Sequence, residues 1–160
     1  MMLKFLLGVA IIALTSFIGY LLAKKYRQRK EFFIQFCEFN ERFLSELAYR
    51  RRPIREFASS YTYSGEFNEL LEDFFRKIDE GTTFDFCEYS FLTPEEKSLV
   101  ADYFSMLGRG DSFSQKGYFS SVKETLASLL KSSTDASKRY GDLYIKLGFL
   151  CGLLILILII

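Results

Sequence analysis

Residues 3–22 read LKFLLGVAIIALTSFIGYLL and are followed at once by AKKYRQRK over residues 23–30. An apolar bilayer core about 30 Å thick needs roughly 20 helical residues. This stretch supplies them with Lys4 as its only charge, near one end where the stem can reach the interface. A cleaved signal peptide starts in the same way, with a base ahead of an apolar core. Here the apolar run continues through Phe17, Ile18, Leu21 and Leu22 without a persuasive small-x-small cleavage site, and a basic cluster follows directly. The pattern predicts a retained transmembrane helix over 3–22.

The other end repeats the theme in a shorter form. Leu147 to Ile160 reads LGFLCGLLILILII, which as a helix reaches only about 21 Å. Begun at Leu143, the segment becomes long enough, with Lys146 able to snorkel and Tyr140 and Tyr144 at the depth of an aromatic belt. A buried core helix is the alternative, but Leu153 to Ile160 is apolar on every face and has no side to offer water. The region between, Ala23 to Lys146, holds 40 of the chain's 41 charged residues, so the 49% apolar composition describes greasy ends around a water-compatible middle. Five bases lie between Lys24 and Lys30 (Lys24, Lys25, Arg27, Arg29 and Lys30), while Lys138, Arg139 and Lys146 border the second segment. Both sets favour a cytoplasmic middle with the two termini across the membrane.

That middle reads as all-α. Phe32, Phe36, Phe39, Phe43 and Leu47 recur every three or four positions, and Arg50-Arg51-Arg52 followed by Pro53 closes the helix. Ile54 to Ser59 reads as a short helix with Pro53 at its first position. Ser64 is a candidate cap for a helix with stripe Phe67, Leu70, Leu71, Phe74, Phe75 and Ile78, stopped by Gly81. Thr82 to Phe91 is read as a further helix, although its phenylalanines alternate as readily as they fit a helical face. Thr93-Pro94-Glu95-Glu96 has the form of a capping box ahead of Leu99, Val100, Tyr103, Phe104 and Leu107, and Gly108 fits a left-handed helix end. From Asp111, a candidate cap, no proline interrupts the chain to Ile160, so one long helix is expected to run into the second span. The expected architecture is a cytoplasmic bundle of about five or six helices over 23–142, between transmembrane helices at 3–22 and 143–160. Its 15 phenylalanines sit at core spacing, which favours packing over a ladder for stacking nucleic-acid bases.

Several chemistries are excluded by composition. The chain has no His, no Trp and only Cys37, Cys87 and Cys151, far apart. It therefore holds no C-x-x-C pair and no Ser-His or Cys-His dyad, and three cysteines suit a reducing compartment. Gly108-Arg109-Gly110-Asp111 lacks the Lys-Ser/Thr ending of a nucleotide loop. No catalytic constellation, cofactor site or metal site is expected.

Charge is segregated instead. Lys24 to Arg55 sums to +6, Glu56 to Asp111 to −9 and Ser112 to Lys146 to +3. The basic flanks suit anionic lipid head groups. Glu66, Glu69, Glu72 and Asp73, in the acidic segment, are candidates for docking a basic partner, with a merely solvated helix face as the plainer alternative.

The layout resembles the stage III sporulation protein AB family of endospore-forming bacteria, itself similar to the inner-membrane platform (F) protein of type II secretion. The resemblance rests on the first span ending in Lys24-Lys25, on Glu46-Leu47-Ala48-Tyr49 with Pro53-Ile54 after it, and on Leu92-Thr93-Pro94-Glu95-Glu96. It rests further on Leu107-Gly108 with Asp111 and Gln115, and on the terminal Leu147-Gly148-Phe149-Leu150-Cys151-Gly152-Leu153-Leu154. It implies a non-enzymatic subunit of the channel linking mother cell and forespore, engaging a secretion-type ATPase, other channel subunits and the membrane, with homo-oligomers allowed. It also implies that Gly108, Asp111 and Gln115 are family-typical positions and that the acidic segment faces the ATPase. Plainer roles for the three are a helix C-cap, an N-cap and an exposed helix residue. A rival function is a membrane-anchored regulator that binds lipid or a small ligand.

Overall fold

The structure, a computed structural model, describes residues 2–49, 52–82, 89–107 and 112–159. Five helices occupy them: α1 (Met2–Tyr49), α2 (Ile54–Ser59), α3 (Gly65–Glu80), α4 (Pro94–Met106) and α5 (Ser112–Ile159). No strand occurs among the described residues. The helix expected over Thr82 to Phe91 is not found where it is described. Thr82 and residues 89–91 are non-helical, and 83–88 lie outside the described residues. The expected long last helix is present without a break. The chain divides into two compact units, Met1–Lys30 with Ser132–Ile160, and Glu31–Lys131.

The first unit is a pair of antiparallel helices. Gly8 meets Leu156, Gly19 meets Gly148, and Tyr26 packs on Tyr140 and Tyr144, so rising positions on α1 meet falling positions on α5. The helices touch through backbone. A Cβ added at Gly19 would lie 2.5 Å from the Tyr144 carbonyl oxygen, and one at Gly148 would lie 2.6 Å from that of Thr15. Backbone atoms cannot rotate away, so only glycine permits this approach. The Thr15 hydroxyl is satisfied within its own helix, donating to the Ile11 and Ile12 carbonyls at 3.0 and 3.1 Å. The outward faces carry Leu14, Phe17, Leu150, Leu154, Ile157 and Leu158, all exposed. Both helices are long and apolar enough to cross a membrane, and their most apolar windows are only 17% and 11% buried. A core helix of a soluble protein would show the reverse.

The second unit folds around aromatic rings. α1 contributes Phe32, Phe33, Phe36, Phe39 and Phe43; α3 contributes Phe67, Leu70 and Leu71; α4 contributes Val100, Tyr103 and Phe104; α5 contributes Phe119, Val122 and Leu126. The stripes of α1 and α4 are buried or half-buried throughout, whereas in α3 the stripe ends at half-buried Phe75 and Ile78 is exposed, and on α5 Phe119, Val122 and Leu126 are buried while Leu143 and Leu147, also expected on its apolar stripe, are exposed. Edge-to-face pairs dominate the centre, with centroids 4.7 Å apart for Phe36 and Tyr103, 4.8 Å for Tyr103 and Phe119 and 4.9 Å for Phe43 and Phe119. Two polar groups are threaded through it. Tyr103 donates its hydroxyl to Asn40 Oδ1 at 3.0 Å, and Asn40 Nδ2 donates to the Phe119 carbonyl at 3.2 Å, tying α1, α4 and α5 at one point.

Helix ends follow local chemistry. The Thr93 hydroxyl accepts from the Glu96 amide while the Glu96 carboxylate accepts from the Thr93 amide at 2.9 Å, a complete capping box. Gly81 takes φ +67° and ends α3. Ser64 holds the cap position of α3, but its hydroxyl makes no capping bond. Pro53 stands one residue before α2 in extended geometry rather than at the first helical position. Leu107, also extended, follows α4, and Gly108 lies outside the described residues.

Candidate functional site

The acidic candidates share one side of α3 because Phe67, Leu70 and Leu71 claim the other. Glu69 and Glu72 are exposed, and Glu66 and Asp73 are half-exposed. Part of the charge on this face is matched locally by arginine, whereas the donor that Glu72 binds is a neutral amide. Glu72 accepts from Asn68 Nδ2 at 2.7 Å, Asp73 pairs with Arg76 at 2.5 Å, and Asp79 pairs with Arg55 of α2 at 2.6 Å. Glu69 makes no ion pair among the described residues. The face is acidic but partly self-neutralised.

Of the family-typical positions, Gly108 and Asp111 lie outside the described residues. Gln115 does not have the exposed place its plainer reading assumed. It is 6% exposed, one helical turn before the fully buried Phe119. A polar side chain at that point belongs to the packing of the second unit.

The basic flanks are placed on the first unit. Lys24, Lys25, Arg27, Lys138, Arg139 and Lys146 are exposed, and Arg29 and Lys30 are half-exposed. The Arg139 guanidinium lies 5.6 Å from the centre of the Tyr140 ring. Close by, Tyr26 forms a cluster with Tyr140 and Tyr144, with centroids 5.4 and 5.8 Å away. The Tyr144 hydroxyl, some burial and the charge of its tyrosine neighbours push the Tyr26 hydroxyl above its ordinary pKa, and Arg29 opposes them.

Sequence reasoning passed over two arrangements. Glu46 is 5% exposed and grips Arg52 twice, at 2.7 Å to Nη2 and 3.0 Å to Nε, and it also accepts from the Arg52 amide at 3.1 Å. Arg52 therefore works as the partner of a buried carboxylate as well as a base at a helix end. The visible clue was an acid on the apolar stripe of α1, three residues after Phe43. Arg42, which pairs with Glu38, lies over the Tyr61 ring at 4.4 Å.

Three clefts accompany these groups. One of about 260 Å³ is lined by Arg42, Ser45, Glu46, Tyr49 and Tyr61; another of about 260 Å³ lies between Arg55, Tyr63, Asn68 and Phe75. The third, about 200 Å³, lies between the helices of the first unit. All are smaller than the roughly 300–1,000 Å³ of small-molecule sites. Among the described residues no group of three or more His, Cys, Asp or Glu is placed to hold a metal ion.

Neither the curated proteins nor the solved structures contain a match to this chain. The sequence model of the stage III sporulation protein AB family does match, over residues 4–160, so nearly the whole chain, from the first apolar helix to the last, belongs to that family of sporulation proteins.

Proposed function

We propose that this sporulation protein is a non-enzymatic platform or adaptor of the channel between mother cell and forespore, coupling a cytoplasmic secretion-type ATPase to the membrane assembly. In this reading both ends span the membrane and residues 31–131 form a helical bundle in the mother-cell cytoplasm. The supporting observation is the placement of exposed charge. Basic residues border each apolar helix where it gives way to the middle of the chain, at 24–30 and 138–146, and α3 carries six acids against two bases. Lysine and arginine stay on the cytoplasmic side, and an acidic helix face suits a basic partner.

The experiment is co-purification from mild detergent with the secretion-type ATPase of the same sporulating host. Reversing Glu66, Glu69 and Asp73 to lysine is expected to weaken capture at least tenfold, since like charges would then meet across the contact. Unchanged capture removes α3 as the docking face. No capture by the unaltered chain removes the coupling itself.

A further inference from the structure

The third cleft belongs to the first unit and has a chemical direction along its length. It opens where Gly19 and Gly148 bring α1 and α5 together, and it is walled by Ile18 and Leu22 on one side and Leu147 and Cys151 on the other. These walls face outward, Ile18 being 49% and Leu22 47% exposed. Tyr144 lines the cleft and is also one of the three clustered tyrosines, so a group of phenolic hydroxyls stands at one end of it. Along α1, Ile18, Leu22, Lys25 and Arg29 follow at spacings of four, three and four, with Lys25 next to Tyr26 of the cluster and Arg29 about one turn past it. That keeps both cations on the helix face that carries the cleft wall. From one end to the other the order is aliphatic, phenolic, cationic.

We propose that this cleft binds one anionic phospholipid, with an acyl chain between Ile18, Leu22, Leu147 and Cys151, its ester region at the tyrosines and its phosphate at Lys25 and Arg29. The inference rests on the membrane-spanning reading above. A lipid presents the same three chemistries in the same order, and at about 200 Å³ the cleft is sized for a stretch of chain, not a compact ligand. A second copy of the hairpin is a poorer occupant. Inserted in the same orientation, it would bring its own Lys25 and Arg29 against these, and like charges would oppose the contact.

The chain has no tryptophan, so a single indole reports its own surroundings. Leu22→Trp places one at the cleft wall. Phe17→Trp, at a 60% exposed position on the far side of α1, is the reference. Each full-length variant is reconstituted in bilayers containing bromine-labelled phosphatidylglycerol or bromine-labelled phosphatidylcholine, and fluorescence quenching is read. The indole at 17 is expected to be quenched equally by both lipids. The indole at 22 is expected to favour phosphatidylglycerol about fivefold, the worth of one cation near a lipid surface. Adding Lys25→Ala and Arg29→Ala should bring the ratio at 22 to one. A ratio of one at 22 in the otherwise unaltered chain overturns the site, as does a preference that survives loss of both cations. Quenching at 17 without quenching at 22 by either lipid also overturns it, and assigns the cleft to protein. No quenching at 17 by either lipid would instead overturn the membrane-spanning reading on which the site depends.

Discussion

The tie between Asn40, Tyr103 and the Phe119 carbonyl can be tested as a unit. All three lie in the aromatic core, with Asn40 1% exposed and Tyr103 fully buried. Tyr103→Phe keeps the ring and removes the hydroxyl, leaving Asn40 Oδ1 without that donor. A buried acceptor so orphaned costs about 2 kcal/mol, and for a unit of about 100 residues this lowers Tm by about 8 °C. Asn40→Leu orphans the Tyr103 hydroxyl instead. It regains about 1 kcal/mol through added apolar burial, so its net loss is about 1 kcal/mol. The Phe119 carbonyl keeps its helical donor in either variant. The double variant orphans nothing, and its stability should lie within about 1 kcal/mol of the unaltered chain. The assay is thermal unfolding of the four full-length proteins in mild detergent, followed by near-ultraviolet circular dichroism, which reads the packed rings. Losses that simply add would show that the hydroxyl and the amide do not act on one another and would refute the reasoning.

Other changes have equally definite outcomes. Gly148→Ala should destabilise the hairpin by several kcal/mol because its Cβ would meet the Thr15 carbonyl, whereas Gly117→Ala, at an exposed helical site with nothing within 4 Å, should stabilise by about 0.5–1 kcal/mol; paired thermal melts check the opposite signs. Thr93→Ala should lose about 1 kcal/mol by removing the capping box, and Thr93→Ser should restore most of it, read by the same melts. Burial, with Glu41 adding to it, pushes the Cys37 thiol up to about 11 from 9.0, and burial raises Tyr103 well above 10.0. The folded state therefore holds protons that the unfolded chain has released, so stability present below about pH 9 should fall as pH rises through 9 to 11, and Tyr103→Phe and Cys37→Ala should flatten that loss in pH-dependent melts.

The features legible in the sequence are those decided within one helix. The phenylalanine spacing of α1, the Thr93 to Glu96 box and the Gly81 stop each depend on residues within about one turn of each other, and each is found as read. Contacts across helices were less visible. Asn40 stands on the α1 stripe between Phe36 and Phe43, but its partners are 63 and 79 positions away. Gln115 follows the same logic, since its burial depends on what packs against α5. The glycines of the terminal helices could be seen, yet the register that sets Gly19 against Gly148 comes from two helices meeting, and no local pattern states it. For the candidate docking site, residue identities and the outward face of α3 were legible, whereas the pairing of Asp73, Asp79 and Glu72 was not.

That pairing changes what the acidic segment can do. A sum of −9 over Glu56 to Asp111 suggests long-range attraction, but charges are screened beyond about 8 Å at physiological ionic strength. On α3 several carboxylates already have donors at 2.5 to 2.7 Å. Exposed pairs of this kind are each worth about 1 kcal/mol or less, so an arriving arginine can displace Arg76 or Arg55 at little cost. Attraction at a distance must then come chiefly from Glu69, which makes no ion pair among the described residues, and from Glu72, whose Asn68 donor carries no charge. The paired acids would contribute only on contact, where a partner exchanges its own cations for the internal ones. A solvated face and a docking face differ in that respect: in the first the pairs are the end state, and in the second they hold the carboxylates in place until a partner competes for them.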